Sequence, residues 1–262
     1  MYYAMSSQKI QMKRKKMSKK NKFTSNLISF FLAAGLAILL RSVLLEPFHI
    51  PSGSMIPSLL VGDYLFVSKY SYGWSRFSFP FGIAPIKGRI WEKTPERGDI
   101  VVFKLPSDTS VNYIKRVIGL PGDKIQVIGG LLYINDKAVR RTIKKKTQET
   151  VGTQKISYTL YEEHLPGGKI HPIQEISDSE LSDNTPAFIV PKDHFFMMGD
   201  NRDNSRDSRF DEVGFVPKEN ILGKAQFIFY SNGSPNSFLA FWRWDQWFSS
   251  IRFKRFFTRV NK

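Results

Sequence analysis

A chain of 262 residues, 42% hydrophobic with a formal net charge of +16, has the length for one or two domains and a sizeable buried core. It contains no cysteine, which excludes disulfides, thiolate metal sites and a cysteine nucleophile. The charge sits at the ends: residues 1–22 carry eight Lys/Arg and no acid, and residues 238–262 carry six Lys/Arg and one Asp. That leaves +3 of the +16 for the body, which argues for a membrane surface as partner and against a nucleic-acid-binding domain.

Residues 1–24 read as a basic cytosolic tail and residues 25–46 as a transmembrane anchor. The anchor's centre, "LISFFLAAGLAILLRSVLL" at 27–45, holds one charge, Arg41, near its exit. At about 1.5 Å per residue it almost crosses a hydrocarbon core of roughly 30 Å, and Arg41 can reach the head groups. The cation-rich flank precedes the span, so the positive-inside rule puts the N-terminus in the cytoplasm and everything after Pro47 outside. A cleaved signal peptide shares these features. However, the exit "RSVLLEPFHIP" offers no small-x-small site, and Ala33-Ala34-Gly35 lies inside the apolar run, so a retained single-pass anchor is expected.

From Pro47 onward the pattern turns to short runs rich in β-branched and aromatic residues, bounded by Gly, Pro, Asp and Asn. These are "DYLFVSKY", "DIVVFKLP", "VNYIKRVIGL", "KIQVIGGLLYIND", "FIVPKDHFFMMGD" and "AQFIFYS". They predict a mainly β protein with an antiparallel β-sheet core, residues 47–135 and 188–232, behind one N-terminal transmembrane helix. Residues 136–187 are charged and polar and predict a smaller peripheral β-rich lobe, with Lys144-Lys145-Lys146 on a solvated hairpin face. Residues 233–262 mix aromatics with Arg and Lys; they fit a core element ending in a polar tail, and fit better a helix lying in the membrane interface. "RFSFPFG" at 76–82 reads as a second apolar contact with the bilayer.

The chemistry begins at "IPSGSMIPSLLVGD", residues 50–63, where two serines flank a glycine between prolines. Neither G-x-S-x-G nor S-x-x-K fits at Ser54. The four histidines, His49, His164, His171 and His194, read as surface residues, with none placed as a base. Lysine remains. Strand alternation in "VNYIKRVIGLPGD" puts Val111, Tyr113, Lys115 and Val117 on one face. A lysine stripped of water loses its preference for the ammonium form and can serve as general base to a serine. The pattern alone equally fits a lysine reaching solvent from a half-exposed strand.

A third stretch, "MMGDNRDNSRDSRF" at 197–210, fails as a calcium loop. Counted from Asp203, Ser208 stands where glycine is needed and Gly214 where glutamate is needed. Charges directly after "FFMM" suggest internal pairing, such as Asp207 with Arg209. Arg97-Gly98-Asp99 reads as a strand-entry turn.

The ordered boxes "IPSGSMIPSLLVGD", "RGDIVVFK", "YIKRVIGLPGDKI", "GDNRDNSRDSRF" and "GFVP", behind one anchor and the exit "RSVLLEPF", resemble the bacterial type I (leader) signal peptidases. The resemblance implies Ser54 as nucleophile and Lys115 as general base, with the oxyanion hole formed by the Ser54 backbone N–H and the Ser52 hydroxyl. It implies that Ser205 orients Lys115, that Asp207 and Arg209 brace their loop as an ion pair, and that Asp200 and Arg116 are structural. Phe48, Ile50, Met55, Leu59, Tyr113 and Ile114 match positions lining shallow apolar pockets that accept small-x-small sequences, Ala-x-Ala above all. Implied too are a Ser/Lys acyl-enzyme mechanism without metal or other cofactor, and preprotein signal peptides as substrates. The expected partners are anionic phospholipids of the bilayer and the secretion translocon, with no nucleic acid. The expected location is the bacterial inner membrane, with the catalytic part on the periplasmic side. Some members of that family have two N-terminal spans where this chain has one. Two other readings stand beside it: a self-cleaving repressor-type Ser/Lys peptidase, and a non-catalytic membrane-tethered β scaffold binding anionic lipid or nucleic acid through its ends.

Overall fold

In a computed structural model of the chain, residues 24–79, 82, 84–151, 154–233 and 244–260 are described. The basic leader expected to face the cytoplasm lies outside them, apart from Thr24. The chain divides into two compact units, Met1–Ser42 and Val43–Lys262. In the first, helix α1 spans Thr24–Val43 and is long and apolar enough to cross a membrane. It ends three residues before the expected boundary, because Leu45 already pairs as a strand with Ser68.

The second unit is built on an eight-stranded antiparallel sheet. Its strands are β1 (Leu45–His49), β2 (Asp63–Ser68), β5 (Ile100–Lys104), β6 (Asn112–Gly119), β14 (His194–Met198), β15 (Val216–Pro217), β16 (Ile221–Ser231) and β17 (Thr258–Arg259). They lie in the order β1-β2-β16-β5-β6-β14-β15, with β17 paired to β16. Strands β3 (Trp74–Ser75) and β4 (Arg89–Ile90) form a two-stranded ribbon. The uninterrupted apolar run of β5 is buried on both faces, as such runs require.

The run "KIQVIGGLLYIND" does not join the main sheet as expected. It folds into β7 (Lys124–Ile128) and β8 (Leu131–Ile134), which with β9 (Lys137–Ala138) and β13 (Phe188–Ile189) make a separate four-stranded sheet. The hairpin turn falls on Gly129 and Gly130, both with positive φ (54° and 72°), the geometry a two-residue turn demands. The two sheets share one core: Ile118, Phe196 and Met198 of the main sheet pack with Ile125, Val127 and Leu132 of the small one.

The polar lobe forms a three-stranded sheet of β10 (Arg140–Val151), β11 (Gln154–His164) and β12 (Ile170–Glu175). Lys144, Lys145 and Lys146 are exposed on it. The lobe is not wholly peripheral, because Glu163, His171 and Glu175 are buried against the rest of the unit. His171, expected on the surface, is 4% exposed, since its Nε2 lies 3.0 Å from Glu163 and its Nδ1 3.5 Å from Asp200.

The described part of the C-terminal tail corrects the expectation of a free interfacial helix. Helix α2 covers Trp244–Ser249 among the described residues, and β17 adds to β16. Trp247 stacks on Tyr230, and Val260 packs against the core. Phe77, expected at the bilayer, packs against the same core. What fixes the tail is an ion pair: Arg255 donates to both oxygens of Asp63 (3.0 and 2.5 Å), a carboxylate with 0% exposure at the start of β2. Arg255→Ala strips that buried carboxylate of its bidentate partner while Arg252 remains 3.8 Å away. The expected cost is about 2–3 kcal/mol, measured by urea unfolding against wild type.

Candidate active site

The serine loop is the wide end of the β1–β2 hairpin. Ile50 N–H donates to Asp63 O (2.8 Å) and Gly62 N–H to Ile50 O (3.0 Å), which closes its base. Gly62 is required there: its φ is +87°, and a Cβ would stand 1.9 Å from Asn232 O. Within the loop Leu59 N–H donates to Met55 O (2.9 Å), closing a turn in which both side chains are fully buried. Arg255 binds the loop from outside through Ser58 O (3.1 Å), and Arg252 through Val61 O (3.0 Å).

Facing the loop is the centre of β6. Register with β5 pairs Lys115 with Val101, and the lysine is 4% exposed. Its Nζ donates to Ser54 Oγ at 2.6 Å, a contact across sixty-one positions of sequence. Burial pushes the Lys115 ammonium down to about 8, against the opposing pull of Asp207 and Asp200. About a tenth of such an amine is neutral at pH 7. Tyr113 lies on the same side, its ring 5.3 Å from Nζ. The Ser52 hydroxyl is 3.5 Å from that of Ser54 and is exposed to the cleft mouth.

Two carboxylates near the lysine are each held by an arginine. Arg116, next along β6, grips Asp200 through Nε–Oδ1 (2.8 Å) and Nη2–Oδ2 (2.6 Å), and reaches the loop at Ser58 Oγ (3.2 Å). Arg209 grips Asp207 through Nε–Oδ1 and Nη2–Oδ2, both 2.9 Å. Burial alone would raise either carboxyl, but the facing guanidinium outweighs it and holds both below the usual range. Ser205 is 6% exposed, and its hydroxyl faces Asp207, whose carboxyl it helps to hold low, so the expected contact with Lys115 is not made here. The close packing comes from Gly199, where a Cβ would fall 2.2 Å from Ser205 Oγ and 2.5 Å from Ser54 O.

Ser54 and Lys115 open into a cleft of about 990 Å³, lined by Phe48, Ile50, Tyr113 and Ile114 among others. Met55 and Leu59, expected in that lining, are instead fully buried in the core, where they pack with Leu65, Val67 and Ile100. Further lining residues were not foreseen: Glu180, Leu181 and Ser182 from the lobe, with Asn204, Arg206 and Phe210. Also unforeseen was Asn201, whose Nδ2 donates to Gly53 O (3.0 Å) and whose N–H donates to Ser54 O (3.1 Å). The box containing it was legible as charged and paired, but a bridge of 148 positions leaves no local trace. Among the described residues no cluster of side chains suited to a metal ion occurs.

A family model described as signal peptidase, peptidase S26, matches residues 23–230. A signal peptidase I of Rickettsia typhi is 43% identical over 249 residues, 88% of this chain and 92% of that protein. One from Rickettsia akari is 44% identical over 246 residues, 86% and 88% of the two chains. A crystal structure of a signal peptidase I from Enterococcus faecalis V583 is 24% identical and covers 50% of this chain and 97% of that one, with a TM-score of 0.29.

Arg209→Met leaves the fully buried Asp207 unpaired and removes a cation whose field lowers the Lys115 pKa. Two outcomes are expected. Stability falls by about 3–5 kcal/mol in urea unfolding, and the Lys115 side-chain amine, followed by NMR, titrates above its value of about 8.

Proposed function

This chain belongs to the signal peptidase family, peptidase S26, and from that membership we propose that it is a serine endopeptidase removing signal peptides from exported preproteins. In this reading Ser54 is the nucleophile and Lys115 the general base. The single observation carrying it is the 2.6 Å approach of a desolvated lysine amine to a serine hydroxyl at the head of a cleft. Neutral Lys115 accepts the Ser54 proton as Oγ attacks the scissile carbonyl, then returns it to the departing amine of the mature protein. The resulting acyl-enzyme is opened by a water that the same amine deprotonates.

Charge developing on the carbonyl oxygen is met by the Ser54 backbone N–H and the Ser52 hydroxyl, a contribution of about 3 kcal/mol for one such donor. The nearness of Ser52 to Ser54 supports that role. Phe48, Ile50, Tyr113 and Ile114 form a shallow apolar wall suited to small side chains, in keeping with small-x-small sites such as Ala-x-Ala. Ser205 orients Lys115 once substrate is bound, a role supported by its close packing across Gly199 from Ser54. Helix α1 serves as the single anchor in the inner membrane, with the N-terminus cytoplasmic and the catalytic unit periplasmic. Anionic phospholipids and the secretion translocon are its neighbours there. The self-cleaving repressor reading and the non-catalytic scaffold have no observation of their own in support.

With detergent-solubilised full chain and a preprotein, Ser54→Ala and Lys115→Ala should each lower cleavage by at least 1,000-fold, on the scale of losing a member of a catalytic unit. Wild-type rates from either variant would falsify the dyad. For wild type, kcat/KM should rise about tenfold per pH unit below pH 8, because only the deprotonated lysine is competent, and level off above pH 8. A flat profile from pH 6 to 9 would remove Lys115 from the base role while leaving Ser54 in place.

A further inference from the structure

Away from the cleft, a second hollow of about 460 Å³ opens between the start of β1 and the strands β16 and β17. Three cations line it: Lys169, Lys224 and Arg259. Lys169 and Lys224 are held side by side, because both ammonium groups donate to one oxygen, Oδ1 of the buried Asp99, at 2.7 and 2.8 Å. The other oxygen of Asp99 accepts from Tyr72 (2.8 Å) and from Glu96 N–H (3.2 Å), so the carboxylate has no further capacity. Gly98 makes room for this arrangement, since a Cβ there would meet Lys169 Cδ at 2.8 Å.

Charge in the hollow does not balance. Lys169 also lies 3.3 Å from the exposed Glu96, but Arg259 pairs with no carboxylate among the described residues. Three cations against Asp99 and Glu96 leave one positive charge. Each ammonium has three N–H donors and the guanidinium five, so most of their donors remain free. One phosphodiester, singly negative and rich in acceptors, supplies what is missing.

The position identifies where such a group comes from. Leu45, on the wall of the hollow, is two residues beyond the end of the membrane-crossing helix α1 at Val43. Two residues of chain reach at most about 7 Å. Tyr70 and Phe227 share the wall, and Phe257, 75% exposed, precedes Arg259 by two positions. Aromatic rings beside cations, next to the exit of an apolar span, are the composition of a membrane interface. We infer that Lys169, Lys224 and Arg259 form a binding site for the phosphodiester headgroup of an anionic membrane lipid, formed where the chain leaves the bilayer. The site rests on the membrane attachment proposed above, and it gives the lipid contact a place on the folded unit.

The test uses the full chain in detergent micelles doped with phosphatidylglycerol, with retained lipid counted by native mass spectrometry. Wild type should retain one lipid per chain, and Lys224→Gln combined with Arg259→Gln should lower retention at least tenfold. Arg259→Gln alone, which breaks no ion pair, should lower it several-fold and serves if the double variant does not fold. Lys145→Gln with Lys146→Gln removes the same charge from the exposed hairpin and should leave retention unchanged. Equal retention by wild type and the hollow variants, or an equal loss in the hairpin control, overturns the site. Displacement of the lipid by millimolar inorganic phosphate would assign the hollow to a soluble anion and overturn the lipid source. Ser54→Ala should keep the lipid while losing cleavage, so failure here and failure of the peptidase reading give different results.

Discussion

Everything in the catalytic unit depends on keeping one amine dry without giving it a counter-ion. Lys115 lies where two carboxylates, Asp200 and Asp207, pull its pKa upward, yet it settles near 8 because burial wins. Burial wins only because each carboxylate is already occupied in a two-point grip, Asp200 by Arg116 and Asp207 by Arg209. An opposite charge left free within about 4–6 Å shifts a pKa by one to three units. A free Asp207 would therefore hold the lysine protonated and unable to accept a proton. The arginines act at a distance from the reacting atoms, by cancelling a field.

Holding those pairs requires the rest of the fold. The loop carrying Asp200 to Arg209 is tied to the lobe, where Arg202 donates to Glu163 (2.9 and 2.5 Å) and Glu163 meets His171. The same loop is tied to the serine hairpin through Asn201. The hairpin is tied in turn to the C-terminal tail through Asp63 and Arg255. Three regions far apart in sequence thus fix one 2.6 Å contact, consistent with the tolerance of about 0.5 Å that preorganised sites need. The lobe and the tail look dispensable as composition, but physically they are braces.

The local patterns were legible. Period-two runs gave the strands of the main sheet, the apolar face of "VNYIKRVIGL" singled out Lys115, and the charged box after "FFMM" announced paired acids. What escaped was set by partners distant in sequence. His171 looks like any surface histidine until Glu163 and Asp200 close on it. Met55 and Leu59 look like pocket residues until the folded loop buries both in the core. The tail's aromatics and cations match an interfacial helix in composition, and only the pairing of Arg255 with Asp63, 192 positions away, shows them docked. Aromatic and cationic residues serve a core edge and a membrane equally well, so composition alone could not choose.

A lysine kept dry for the proposed role of base weakens the fold that holds it. Lowering Lys115 from its ordinary 10.5 to about 8 disfavours the folded state by about 3 kcal/mol wherever the lysine is charged in both states. The sign follows from the protons bound. Below about pH 8 the penalty is fully present, between 8 and 10.5 it fades, and above 10.5 both states hold a neutral amine and it vanishes. A protein working near neutral pH bears the whole of it. Set against a total stability of about 5–15 kcal/mol, that is a large fraction. A histidine base would cost less, since its pKa lies near neutrality without being moved. The lysine brings a different advantage: an aliphatic stem that packs in a β-sheet core and a base strength set by how completely water is excluded. Dryness therefore serves twice, as packing for the sheet and as the source of basicity, and the buried ion pairs that surround Lys115 are what make the two compatible.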